Sequence, residues 1–72
     1  MDIHKIHGHT VHIEPGAEHA VTHFNGSIQA DEANVFFHEA RRNGKAQFED
    51  HHGRNYTLTH NSDATFTITR RP

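Results

Sequence analysis

The segment His4-Lys5-Ile6-His7-Gly8-His9-Thr10-Val11-His12-Ile13-Glu14 holds the densest chemistry in the sequence. Neutral imidazole is a good ligand for zinc, nickel or copper. On an extended strand His7 and His9 point to one side, and His4 and His12 to the other. His7 and His9 therefore form a candidate two-point clamp for a divalent metal. A second candidate site pairs His12 with His19 or His23 across a hairpin. The alternative is that these are polar strand positions that happen to be histidine.

His7-Gly8-His9-Thr10-Val11-His12 has the H-x-H-x-x-H spacing and so resembles the metal motif of metallo-β-lactamase-like hydrolases. Valine stands at 11 where that family has an acid, and its domain is several times longer. His7-x-His9 followed by Glu14 resembles the first cupin motif, and Gly16-Ala17-Glu18-His19 part of the second. Here the two are compressed into thirteen residues. Neither resemblance covers enough of the chain to name a family.

Other chemistries find less support. Without cysteine there is no disulfide, thiolate zinc site or cysteine nucleophile. The only serines are Ser27 and Ser62. His60-Asn61-Ser62-Asp63 contains the triad residue types, but one tight turn cannot bring them together from different directions. No paired carboxylates define a cleft. The expectation is therefore a protein without catalytic residues. Basic residues cluster at Arg41, Arg42 and Lys45, and again at Arg70 and Arg71. The five converge as a candidate nucleic-acid surface if the last strand ends near the helix end. Arginines in a last helical turn also simply complement the helix dipole.

The elements that position these residues follow from periodicity and turn chemistry. Thr10–Ile13 and Ala20–Phe24 alternate, and Glu14-Pro15-Gly16-Ala17 between them carries a type II turn signal. This predicts a hairpin with His12 opposite His19 and Val11 opposite Ala20. Ala33, Phe36, Phe37 and Ala40 form an apolar stripe at helical spacing. Acidic residues stand before the stripe, arginines after it, and Asn43-Gly44 closes it, so a helix is expected over about residues 30–42. Asp50-His51-His52-Gly53 and Asn61-Ser62-Asp63-Ala64 read as turns of a three-stranded meander. The registers pair Phe48 with Tyr56, Ala46 with Leu58, Leu58 with Ile68 and His60 with Phe66. They gather Ala46, Phe48, Tyr56, Leu58, Phe66 and Ile68 on one apolar face. The other face carries Thr57, Thr59, Thr65, Thr67 and Thr69. The expected fold is α+β: a β-hairpin, one helix packed on one face of the sheet, then a three-stranded antiparallel meander (ββαβββ). It is read as one small domain over 1–72, with residues 1–6 and 70–72 fraying.

The chain has 72 residues, seven basic against nine acidic, a net charge of −2 with neutral histidines, and ten histidines. Full protonation of the histidines would carry the charge from −2 to +8, ten units, in mildly acidic solution. No apolar run exceeds three residues (Val35-Phe36-Phe37), so no membrane span is expected. The first residues lack an apolar signal stretch, which places the protein in the cytoplasm by default. The threonine face offers a flat docking surface, and the final strand is read as an edge open to a partner strand. The expected role is a non-enzymatic binding or accessory module with a protein partner. Histidine-based zinc, nickel or copper binding is the alternative, and small nucleic-acid-binding regulation the third. A homodimer would bury more apolar surface, but nothing in the sequence requires one.

Overall fold

The computed structural model describes residues 2–27 and 29–71. Five strands form one sheet, with helices on one face. The strands are β1 (Asp2–Ile6), β2 (His9–Ile13), β3 (Lys45–Glu49), β4 (Asn55–His60) and β5 (Phe66–Arg71). The helices are α1 (Glu18–Thr22), continued by a π-helical turn over His23–Ser27, and α2 (Ala30–Asn43). The sheet order is β1-β2-β5-β4-β3.

The hairpin of the first third exists, but one element earlier than expected. Its turn is His7-Gly8, both at positive φ (49° and 86°), and Ile6 pairs with His9. Two left-handed residues make a type I′ turn, whose twist matches that of the flanking strands. Residues 2–6, expected to fray, are thus a paired strand. Met1 and Pro72, from the two expected frayed ends, lie outside the described residues.

The Pro15-Gly16 turn also forms: Ala17 donates its N–H to the Glu14 carbonyl at 3.0 Å, and Gly16 sits at φ 93°. The chain leaves this turn as the helix α1, not as the expected strand over 20–24. Ala17, Ala20 and Phe24 are buried and Val21 is partly so. That is i, i+3, i+4 and i+7, the spacing of one helical face. The five-residue alternation is satisfied equally well locally, but only the helix places all four against the sheet.

α2 matches its expected span to within one residue and stops at Gly44, which adopts φ 92° and donates to the Ala40 carbonyl at 2.7 Å. The meander has the expected registers throughout: Phe48↔Tyr56, Ala46↔Leu58, Leu58↔Ile68 and His60↔Phe66. All six residues of its apolar face are buried. They meet Ile6, Val11 and Ile13 from the hairpin and the apolar sides of both helices in one core.

β5 is not an edge. It runs parallel to β2, with Val11↔Phe66, His12↔Thr67 and Ile13↔Ile68. The helices carry the chain from β2 to the far edge, and the meander returns it, so the last strand closes on the hairpin and makes five continuous strands. The edges are β1 and β3. The face away from the helices holds the threonines, with a row Ile3–His12–Thr67–Thr59–Lys45 crossing all five strands. Among the described residues no helix is long and apolar enough to cross a membrane.

Candidate functional site

Four histidines converge where α1 meets the β3–β4 turn. Glu18–Thr22 being helical, His19 and the succeeding turn's His23 stand four residues apart and share a side. The β3–β4 turn supplies His51 and His52. It closes through Gly53, at φ 79°, whose N–H donates to the Asp50 carbonyl at 3.2 Å. Together with Thr22, Asp50 and Arg54 these histidines line a cleft of about 100 Å³.

Asp50 holds the turn together. Its Oδ1 accepts the backbone N–H of His52 and of Arg54, both at 2.9 Å. Its Oδ2 accepts Arg54 Nε–H at 2.6 Å and the Tyr56 hydroxyl at 3.1 Å. Burial alone would raise the pKa of this carboxyl, but the hydrogen bonds from Arg54, His52 and Tyr56 prevail and hold it far below the usual carboxylate range. The same arrangement raises the Tyr56 hydroxyl, first by burial and then by its bond to the carboxylate.

Among the described residues His23 is the buried histidine, 5 % exposed. Its ring lies parallel to Phe48 at 6.0 Å and perpendicular to His51 at 5.1 Å, measured between centroids. Burial lowers its pKa; the neighbouring His51 lowers it further, while Asp50 and Glu32 oppose the shift. His23 thus favours the neutral form in the folded chain. A depressed folded pKa means that the unfolded chain binds protons more readily. The stability linked to His23 is complete above the unfolded value near ~6.5 and is lost as pH falls through the folded value. Urea melts should show lower stability at about pH 5 than at about pH 7.5, with the difference reduced in His51→Gln. Equal midpoints in the wild-type protein at the two pH values would contradict this.

The histidines singled out from the sequence are dispersed. His7 is in the β1–β2 turn rather than on a strand beside His9. Its Nε2 lies 2.8 Å from the Phe24 carbonyl, so that nitrogen carries the proton and donates. His9 stacks on Phe37 at 4.2 Å and meets the edge of Phe66 at 5.4 Å, serving as an aromatic at the margin of the core. His12 lies between Ile3 and Thr67 in the sheet, not opposite His19, because the chain is helical after the Pro15-Gly16 turn. Of the singled-out histidines, His19 and His23 join the cluster at the β3–β4 turn. Among the described residues no three histidine, aspartate or glutamate side chains are grouped to hold a metal ion.

The basic residues divide likewise. Arg41 and Arg42 close α2 and Lys45 opens β3, opposite Thr59. Arg71 lies opposite Asn55 at the other end of β4. Four residues of strand separate the two positions, about 13 Å at ~3.3 Å per residue. The last strand therefore ends away from the helix end, and the five charges do not converge.

No protein family, no curated protein and no solved structure matches this chain. Its chemistry is carried by its own geometry. The cluster of His19, His23, His51 and His52 is partly hidden in the sequence. A doubled histidine in a turn is visible there, but the His19–His23 spacing acquires meaning only on a helix.

Proposed function

We propose that this chain is a non-enzymatic binding module that takes up an extended segment of a partner protein along the β1 edge. The observation that supports this reading is the state of that edge. Ile6 and His9 flank a two-residue turn and form its closing hydrogen-bonded pair, so Asp2, His4 and Ile6 direct their backbone groups toward β2. Ile3 and Lys5 then direct N–H and C=O outward, as the template that strand addition uses. Ile3 is also 62 % exposed, one of two large apolar side chains left in solvent among the described residues. It stands beside His12 on the open sheet face, where an added strand would cover it. Both edges carry exposed charges, Asp2 and Lys5 on β1 and Lys45 and Glu49 on β3, but only β1 adds an exposed large apolar side chain.

The test is a photocrosslinking amino acid at position 3, with Val35 as control site, since Val35 is 64 % exposed but lies on α2. A dominant protein adduct is expected from position 3 and not from 35. Lys5→Pro removes the outward N–H while sparing the bonds to β2, and is expected to abolish the adduct. Equal crosslinking from both positions, or an adduct that survives Lys5→Pro, would refute strand addition at this edge.

A further inference from the structure

We infer that the cleft between α1 and the β3–β4 turn is a binding site for a small tetrahedral oxyanion, a sulfate- or phosphate-type group, which engages as its histidines take up protons. With its imidazoles protonated, the lining is dominated by donors. Asp50 is the carboxylate in it, and both oxygens already accept two hydrogen bonds each, leaving no strong acceptor facing the cavity. The remaining polar groups are the imidazoles of His19, His23, His51 and His52, the Thr22 hydroxyl and the Arg54 guanidinium.

His23 gives this site its direction. It is 95 % buried yet has no hydrogen-bond partner among the described residues, and no buried side-chain nitrogen or oxygen there is both fully enclosed and unpaired. His23 is itself one of the residues that line the cleft. Phe48 backs the ring on one side and His51 stands across it. The cavity of about 100 Å³ holds roughly three waters at ~30 Å³ each. That suits one oxyanion, whereas drug-sized ligands occupy roughly 300 Å³ or more.

Charge decides when the site is competent. Arg54 is neutralised by Asp50, and Glu32 of α2 adds a negative charge near His23. With neutral imidazoles the cleft has no net attraction for an anion. Protonation of the four imidazoles supplies up to four positive charges around one small volume. An anion in turn relieves the mutual repulsion of His23 and His51, so binding and proton uptake reinforce each other.

The experiment tracks the histidine ring resonances of the whole chain by NMR during sulfate titration, with chloride holding ionic strength constant. Sulfate remains doubly charged across the range, whereas phosphate itself takes up a proton, so sulfate reports the protein's titration alone. Saturable shifts are expected at His23 and His51, with His4 on β1 unmoved. Affinity should be at least about tenfold higher near pH 5.5 than near pH 8, one unit of pKa linkage being worth a factor of ten. His19→Gln/His51→Gln replaces two exposed side chains and keeps the fold. It should weaken binding at the lower pH by about tenfold or more. Shifts spread evenly over all histidines, equal affinity at the two pH values, or undiminished binding in the double variant would each overturn the site. Comparing inorganic phosphate with O-phosphoserine then separates a free ion from a phosphoryl group carried by a larger molecule.

Discussion

Phe24→Ala is expected to remove about 3–5 kcal/mol of stability, the usual cost of truncating a buried phenylalanine. Phe24 is fully buried and lies at the meeting point of four other rings: Phe48 at 4.7 Å, Phe37 at 5.5 Å, His23 at 5.9 Å and Phe36 at 6.1 Å. It is the contact through which the π-helical turn joins the core, and its carbonyl is also the acceptor for His7 in the hairpin turn. The loss therefore falls on the junction of hairpin, helices and meander, where the surroundings have little freedom to collapse into the void. A chain of this length has a total stability of about 4–11 kcal/mol at 0.05–0.15 kcal/mol per residue. The loss is thus between about a quarter and the whole of the stability. Urea melts monitored by circular dichroism should show its midpoint reduced by at least about a quarter. Val35→Ala, on the exposed side of α2, should stay within about 0.5 kcal/mol of the parent. A loss at Phe24 below about 1 kcal/mol would mean that the helical segment does not close the core.

The two halves of the chain differ in how far local physics determines them. In the meander, each strand alternates for five or six residues and each turn has its own chemistry, so register follows from local rules alone. The Asp50–Gly53 and Asn61–Ala64 turns fix Phe48↔Tyr56 and His60↔Phe66 without help from any long-range contact. α2 is equally local, bounded by its own charges and by Gly44. The first third offers no such redundancy. β1 is an edge strand with only Ile6 buried, so it has no period-two apolar signal. The Pro15-Gly16 turn is legible as a turn, but its type does not specify whether a strand or a helix comes next. Ala17, Ala20, Val21 and Phe24 satisfy the helical template, and the five-residue alternation hides it. That single ambiguity separates His12 from His19 and conceals the side shared by His19 and His23. The parallel pairing of β2 with β5 joins residues more than fifty positions apart and leaves no local trace. Its consequence is the shift of the free edge from β5 to β1.

Asp50→Asn is the second large effect, expected at about 2–4 kcal/mol, since charge-assisted bonds contribute about 1.5–3 kcal/mol each and do not add fully. The amide presents one acceptor oxygen where the carboxylate presents two. Either the two backbone N–H groups of the turn or the Arg54 and Tyr56 side chains must then face an NH₂ group. Arg54, with its side chain 23 % exposed, can turn partly to water, whereas the Asp50 position, 2 % exposed, cannot be hydrated. This places the cost below that of a fully enclosed ion pair, about 3–5 kcal/mol. The same carboxylate gives the chain a distinct acid transition. Its folded pKa is depressed, so its contribution is complete above the unfolded value near ~3.9 and is lost as pH falls below it. The His23 contribution is lost in a separate window that begins near ~6.5. Stability plotted against pH should therefore fall in two steps. Asp50→Asn should lower the whole curve and flatten the step below about pH 4, while retaining or enlarging the step below about pH 6.5, because the charge that opposes the His23 shift is gone. Tyr56→Phe, which removes one donor and keeps the ring packed on Phe48 at 5.2 Å, should retain both steps at a smaller overall loss. If the lower step persists undiminished in Asp50→Asn, some other carboxylate carries the acid sensitivity, and the β3–β4 turn is held by its backbone alone.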